Sequence, residues 1–442
     1  MLRQARSIHK HMLSISRESH ETRWRPRYAR VMGSPTTSHR PADAALRRNA
    51  EETGDELRAA VEALLAELAR RGLRDQRAIQ GALNLSQSAI SRLVSSVRSG
   101  DSLATLSSIP GPEALRQMVQ GATKSGVDRA FVERVEHAVK GLEHFLDHHV
   151  GDRGTLDAVL SDWVHESRST FEQRHKMAAF KAMSALRGVR AELVLNCGIV
   201  HPTASEPSVY DCIGIDALLG CRRVRPNGIL RMMGSHLESE GSAARVTNLD
   251  GAPIAHMPDM LLPAFSTIPV EHMTTTHHGQ FIETTVADLP LGNGAEPGGD
   301  LVCAQVYRGL QRARRAGGPP TSGVGGQAEP PSEWFVVDAL LHDDVWPDAR
   351  PELRIYDTVV RGLTHPDNPA RQGDRLDLLE QVQPLGTGPD AFRLPEFPRY
   401  AELVRGVCER AGWDASRLRG YRCKVRYPIY GTQIGLAFPL KD

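Results

Sequence analysis

Two groups of acidic residues in the C-terminal half of the sequence have side chains that can bind a metal ion. The first lies on and just past an apolar run and includes a histidine: Asp338, His342, Asp343 and Asp344. The second is Asp211 and Asp216, which flank a glycine on a predicted strand. Paired carboxylates can hold two metal ions that activate a phosphodiester. These groups therefore define one alternative, a nuclease or recombinase with a carboxylate metal site.

None of these residues lies in a recognised catalytic or metal motif. The sequence has no GxxxxGK phosphate loop, no GxSxG nucleophile elbow and no GxGxxG after a strand. His144 and His148 are four residues apart, but no glutamate stands between them as in HExxH, which favours a solvated helix face over a zinc site. The main prediction is therefore that the protein is not an enzyme and has no catalytic residue, metal ligand or cofactor.

Residues 75–99 are the one stretch whose residue types jointly predict a function. Its two halves carry apolar residues at a 3-4 spacing, which is typical of two short amphipathic helices. Between them, Asn84 tolerates the left-handed conformation in which helices often end, and Ser86 is a good N-cap for the second helix. A helix with one polar, exposed face can lie in the major groove of DNA.

The residues 78–93, AIQGALNLSQSAISRL, resemble the LAxxLGVSQSxISRL pattern of Cro/phage-repressor-like (XRE-type) helix-turn-helix transcriptional regulators. The resemblance covers residues 54–120 and implies an all-α DNA-binding domain. Gln80 stands where the family has a small residue, and Asn84 stands where it has a glycine. The positions that read bases in the family fall on Gln87, Ser88, Ser91 and Arg92.

Local positive charge supports contacts with the phosphate backbone. Residues 70–98 include six arginines and one acidic residue, a net charge of +5, whereas the whole chain has a formal net charge of only +1. We expect the arginines to hold phosphates while the second helix reads bases. The predicted DNA-contacting residues are Arg70, Arg74, Arg77, Ser86, Gln87, Ser88, Ser91, Arg92 and Arg98.

The first 50 residues are strongly basic, with eleven Lys and Arg residues against three acidic residues, a net charge of +8. Either this segment is a disordered arm that contacts phosphates, or translation begins at Met32. Residues 1–31 contain no apolar core of the signal-peptide type, and no run of about 18 apolar residues occurs in the sequence. We therefore expect no membrane association.

Composition and periodicity divide the chain into four predicted parts. They are a disordered basic arm (1–50), a helix-turn-helix DNA-binding domain (51–125), a helical linker or dimerisation region (126–188) and an α+β sensor or regulatory domain (189–442). In the third part, residues 155–186 contain almost no helix breaker, which predicts one long helix that could form a stalk or a dimer interface. The predicted fold class is multidomain, all-α followed by α+β.

The C-terminal part consists mainly of short runs of branched and aromatic residues. These runs predict strands at 191–200, 209–218, 229–233, 281–289, 301–307, 334–341 and 353–356, a helix at 398–412, and a closing hairpin formed by 421–428 and 432–438. Two inserts, 290–299 and 316–332, are predicted to be loose, and the Gly- and Pro-rich second one to be a disordered surface loop.

The six cysteines are never closer than nine residues apart, which excludes a CxxC motif and favours reduced thiols in a cytoplasmic protein. The combined prediction is a sequence-specific, homodimeric transcriptional regulator that binds double-stranded DNA. Its C-terminal domain would sense a small-molecule effector or bind a partner. The alternatives are the DNA-acting enzyme, with Asp216 and Asp338 as candidate carboxylates, and a protein-interaction module that uses the helical fold without DNA.

Overall fold

The structure, a computed structural model, describes residues 41–203, 209–236, 245–278, 281–292, 296–311 and 321–440. The chain separates into two compact units, the first ending at His149 and the second beginning at Val150. The expected linker region, 126–188, is divided between them, because one of its helices belongs to the first unit and two belong to the second. Residues 1–40 of the predicted basic arm lie outside the described residues.

The described part of the first unit consists of six α-helices. They are α1 (Pro41–Arg70), α2 (Gln76–Leu83), α3 (Gln87–Arg98), α4 (Ser102–Ser108), α5 (Pro112–Lys124) and α6 (Arg129–Phe145), and a π-helical turn, Leu146–Val150, follows α6. Residues 41–50, which the sequence assigned to the basic arm, form the start of α1 instead. Proline is well suited to this first helical position, because its fixed φ matches the helix and its missing N–H has no partner there.

Helix α1 is the centre of the first unit because its apolar stripe is buried along most of its length. Leu57, Leu64 and Leu68 have no exposed surface, and burial of each such side chain stabilises the fold by roughly 1.5–3 kcal/mol. Helix α1 packs against α4 and α6, while α2 and α3 add Leu83 and Leu93 to the core. The two short helices are therefore held on a closed helical scaffold.

The second unit begins with two helices, α7 (Arg153–Trp163) and α8 (His165–Arg187). The prediction of one continuous helix over 155–186 is wrong. Val164 has an extended backbone, with φ −124° and ψ 104°, and it separates the two helices. A β-branched residue adopts this conformation readily, and apolar periodicity alone does not reveal such a break.

The rest of the second unit has thirteen described strands and one longer α-helix, α9 (Tyr400–Ala411). The strands are β1 (Val189–Pro202), β2 (Val209–Arg223), β3 (Leu230–His236), β4 (Arg245–Thr247), β5 (Met273–His278), β6 (Phe281–Val286), β7 (Gly299–Gln311), β8 (Thr321–Gln327), β9 (Ser332–His342), β10 (Glu352–Asp357), β11 (Val382–Thr387), β12 (Leu418–Arg426) and β13 (Thr432–Pro439). This mixture of helices and sheets is the α+β composition that the sequence predicts.

These strands form one large sheet and two small ones. The large sheet has seven strands in the order β11-β12-β9-β1-β2-β7-β4, and the small sheets have the orders β10-β13-β8 and β3-β6-β5. The pair β1–β9 is parallel, and the other described pairs are antiparallel. Both small sheets pack through apolar side chains on one face of the large sheet, while α9 covers the other face.

Two predictions about the C-terminal strands are wrong. The expected closing hairpin does not form, because β12 pairs with β9 and β11 in the large sheet, whereas β13 pairs with β10 and β8. Tyr427 (φ 52°) and Gly431 (φ 78°) both adopt left-handed conformations in the connection. The insert predicted to be disordered contains β8, and its Gly325 allows a close approach to β13: a Cβ there would lie 2.5 Å from the carbonyl oxygen of Ile434.

No helix among the described residues is long and apolar enough to cross a membrane. All six cysteines lie in the described part of the chain, and all are free thiols.

Candidate nucleic-acid interface and carboxylate clusters

The connection between α2 and α3 has the local conformation that the sequence predicts. Asn84 is left-handed (φ 53°, ψ 44°), and its backbone N–H donates to the carbonyl of Gln80, which ends α2. The Ser86 hydroxyl accepts a hydrogen bond from the N–H of Ala89 at 3.2 Å and caps α3. Leu85 is only 5% exposed and fills the corner between the helices. The turn is thus defined by one backbone conformation, one cap and one apolar contact.

Helix α5 packs against the C-terminal end of α2 through residues that sequence reasoning missed. A Cβ on Gly121 would lie 2.3 Å from the carbonyl oxygen of Leu83, so only glycine allows α5 to approach the end of α2 this closely. The Ser125 hydroxyl donates to the carbonyl of Ala82 at 2.6 Å. An isolated glycine inside a helical pattern was the available signal.

The first turns of α3 present a polar, exposed surface. Ile90 and Leu93 face the core, whereas Gln87, Ser88 and Ser91 are exposed. The Ser88 hydroxyl lies 3.0 Å from that of Ser86. Amide and hydroxyl groups of this kind can donate to and accept from the edges of bases.

Arg92 lies on the same face, but its guanidinium already has backbone partners. Its Nε donates to the carbonyl of Ser108 at 3.0 Å, and an Nη donates to the carbonyl of Ile109 at 2.8 Å. These carbonyls lie at the C-terminal end of α4, where a positive charge is favourable. Arg92 therefore ties α3 to α4, and a base contact by this residue would have to replace those two bonds.

The arginines predicted to hold phosphates differ in how far their charge is already neutralised. Arg70 pairs with Glu67 at 2.7 Å and lies over the ring of Phe131, and Arg74 donates to the carbonyl of Ala69 at 3.5 Å. Arg77 and Arg98 are exposed and have no hydrogen-bond or ion-pair partner among the described residues. Arg77 and Arg98 are thus the arginines best placed to meet a phosphate.

Asp338 of the first carboxylate group is a buried structural residue. It receives two hydrogen bonds from Arg422, at 2.8 and 2.7 Å, and Asp338 is fully buried. Arg422 also donates to the carbonyls of Phe392 and Arg393, and it lies over the ring of Tyr400. Burial raises the pKa of the Tyr400 hydroxyl far above its usual value, and the Asp338 charge adds to this effect. Since Asp338 is paired with Arg422, it is not free to hold a metal ion.

The other members of that group meet at the end of β9. Potential ligand atoms of His342, Asp343 and Asp344 lie within 4.8 Å of one another. However, Arg417 donates to both oxygens of Asp343, at 2.9 and 2.6 Å, and to Asp344 at 3.2 Å. The hydrogen bond from Arg417 lowers the pKa of Asp343. Arg417 thus already supplies the positive charge that a metal ion would bring to these carboxylates.

His342 itself is nearly buried and packs against other rings. Its ring lies 4.6 Å from that of His201, which in turn stacks on Trp413 at 4.7 Å. Burial lowers the pKa of His342, and the neighbouring His201 and the charge of Arg417 lower it further. Its Nδ1 accepts a hydrogen bond from the backbone N–H of Asp344 at 3.2 Å, which orients the ring. The charges of Asp343 and Asp344 act in the opposite direction and raise the pKa of His342, but they only partly offset these effects.

Asp211 and Asp216 do not form a carboxylate pair, because they lie on opposite faces of the large sheet. Asp211 accepts hydrogen bonds from Arg308 at 2.7 Å and from the N–H of Gly309 at 3.0 Å. Asp216 faces the small sheets and accepts a hydrogen bond from the Asn196 amide; its burial raises the pKa of its carboxyl. Asp338 faces α9, so it does not share a face with Asp216. The structure does not bring the predicted carboxylates together.

The histidines of α6 and the π-helical turn are exposed. The rings of His144 and His148 stack at 4.1 Å, and Nδ1 of His148 lies 3.0 Å from the carbonyl oxygen of His144. Nδ1 of His148 is therefore engaged in a contact with the backbone of its own helix.

Comparisons with known proteins do not place the chain in a family. No family model and no curated protein sequence matches it. One solved structure with some similarity is described as a "putative protease" from Parabacteroides distasonis. The match has 8% sequence identity, covers 57% of this chain and 40% of that one, and has a TM-score of 0.25. A similarity this low carries no argument about fold or activity.

Proposed function

We propose that this protein is a sequence-specific regulator that binds double-stranded DNA through α2 and α3 of its first unit. The observation that carries the proposal is the exposed polar face of α3, which follows a left-handed turn and is held by a closed helical core. A helix presented in this way can enter the major groove, where each base pair has a distinct pattern of donors and acceptors.

The proposed contacts with DNA are of two kinds, contacts with bases and contacts with phosphates. Gln87, Ser88 and Ser91 read base edges, because they are exposed on the first turns of α3. Arg77 and Arg98 hold phosphates, because no described side chain neutralises them. Phosphate contacts position the protein and make binding depend on salt, whereas base contacts supply the sequence preference.

The proposal extends to a homodimer with a regulatory second unit. A single helix reads only a few base pairs, and a two-fold symmetric dimer would place two such helices on adjacent half-sites. An effector or partner of the second unit would then act by binding more tightly to one arrangement of the dimer than to another.

Selection from a pool of random-sequence duplexes, with the full-length protein, tests the proposal. We expect enrichment of one sequence with a partly palindromic pattern. Gln87→Ala should weaken binding to that sequence by about 1–3 kcal/mol and relax the preference at one position, and Arg77→Ala should lower the salt slope by about 1. Gln117 is an exposed glutamine on α5, away from α3, so Gln117→Ala is the matched control.

Two results would contradict the proposal. One is that no sequence is enriched and that retention of the protein on DNA does not depend on salt, which would favour a protein-interaction module. The other is that Gln117→Ala and Gln87→Ala weaken binding equally, which would mean that the α3 face has no special role.

A further inference from the structure

A small cavity in the second unit is lined by an unusual number of sulfur atoms. It has a volume of about 10 Å³ and lies between the large sheet, strand β3 and a 3₁₀ turn that spans Met257–Met260. Four of its lining side chains contain sulfur: Met232, Met257, Met260 and Cys303. Asp216, the acidic residue that belongs to no carboxylate pair, also lines it.

The local backbone explains why two of the methionines share this cavity. A 3₁₀ helix has three residues per turn, so side chains at positions i and i+3 lie one above the other. Met257 and Met260 have this spacing in the 3₁₀ turn. Met232 comes from β3 and Cys303 from β7, and Cys303 Sγ lies 3.2 Å from Met257 Sδ. Three separate elements thus place sulfur-containing side chains along the same cavity.

Most of the sulfur-containing side chains that line the cavity are buried. Met257, Met260 and Cys303 are 0%, 4% and 4% exposed, and Met232 and Asp216 are partly exposed, so the cavity has an accessible side. Cys303 is the one lining residue whose sulfur can bind a cation as a thiolate.

We propose that this cavity binds one Cu(I) ion through the thioethers of Met232, Met257 and Met260 and the sulfur of Cys303. Thioether and thiolate ligands are soft and select Cu(I) over harder divalent ions. On binding, the S–H bond of Cys303 breaks, an S–Cu bond forms and the proton leaves to solvent, with no change in oxidation state. The thiolate neutralises the ion, which removes the cost of burying an isolated charge.

The proposal is tested by anaerobic titration of the reduced full-length protein with Cu(I) in competition with a chromophoric Cu(I) chelator, with stoichiometry from native mass spectrometry. We expect one tightly bound ion with a sulfur-only first shell in X-ray absorption, and no tight binding of Zn(II) at this site. Met257→Leu, Met260→Leu and Cys303→Ala should each weaken Cu(I) binding by about 10–100-fold, as expected for disruption of a metal site.

Two matched variants control for other sulfur atoms and for folding. Met273 packs against the same core but does not line the cavity, and Cys423 is a buried thiol of that core, so Met273→Leu and Cys423→Ala should leave the affinity unchanged. Methionine-to-leucine changes conserve volume and are well tolerated in cores, and circular dichroism checks each fold.

The proposal is overturned if the wild-type protein does not compete with the chelator, or if the cavity variants and the control variants bind Cu(I) equally. The cavity methionines and cysteine would then be ordinary core packing. All of these measurements are made without DNA, so their outcome is separate from that of the DNA-binding proposal.

Discussion

At the scale of single residues, the role of a side chain depends more on its bonding partner in the fold than on its chemical type. Asp338 and Arg92 were both candidates for function, one as a metal ligand and the other as a base reader. In the structure, Asp338 pairs with Arg422 in the core, and Arg92 donates to the last carbonyls of α4. In each case the bonding partner lies far away in the sequence, so no local pattern predicts the contact.

The pairing of Asp338 predicts the effect of removing its charge. Asp338→Asn leaves the Arg422 guanidinium buried without a counter-charge, so we expect the free energy of unfolding to fall by about 3–5 kcal/mol. Chemical denaturation measures this loss. Asp343→Asn, which alters an exposed ion pair with Arg417, should leave the unfolding midpoint nearly unchanged. A stable Asp338→Asn protein that had lost metal-dependent DNA cleavage would instead support the nuclease alternative.

At the scale of elements, packing depends on positions where two backbones meet. Helices α2 and α3 have good caps and a left-handed turn, but their placement depends on α5, whose Gly121 contacts the end of α2. The sequence pattern predicts the two helices correctly, since caps and apolar spacing are local. It does not predict which helix supports them, since that contact joins residues nearly forty positions apart.

Two glycine substitutions distinguish the effect of this contact on stability from the effect of helix propensity. In Gly121→Ala the new methyl group would lie 2.3 Å from the carbonyl oxygen of Leu83, so we expect the first unit to lose about 1–3 kcal/mol of stability. Gly81 lies on α2 in the same unit, and a Cβ there would have no neighbouring atom within 4 Å. Gly81→Ala should therefore stabilise α2 by about 0.5–1 kcal/mol. Thermal unfolding monitored by circular dichroism should show opposite shifts, and equal shifts would refute the proposed role of the contact.

At the scale of the whole molecule, the division into two units defines the smallest part that should fold. The predicted DNA-binding domain, 51–125, omits α6, whose buried residues include Val135, Val139 and Leu142, and it omits the first turns of α1. Each of the larger apolar side chains contributes roughly 1.5–3 kcal/mol on burial. Their combined loss is comparable with the whole stability of a typical domain, about 5–15 kcal/mol.

A comparison of two fragments tests this boundary. We expect residues 41–149 to give a helical fragment with a cooperative thermal transition, and residues 51–125 to give a partly helical or aggregating one. Circular dichroism and size-exclusion chromatography distinguish these states. A cooperative transition in the 51–125 fragment would show that α6 is not required for the core.

The sequence by itself determined most of the helices and strands, the left-handed turn at Asn84, the cap at Ser86 and the change from helices to sheets near residue 189. These features follow from backbone conformation and apolar periodicity, which act over a few residues. Tertiary structure alone decided that β12 and β13 belong to different sheets and that Asp216 and Asp338 face opposite sides of one sheet. It also decided that Met232, the Met257–Met260 turn and Cys303 share one cavity. Strand pairing and side-chain convergence join residues far apart in the chain, so no local pattern records them.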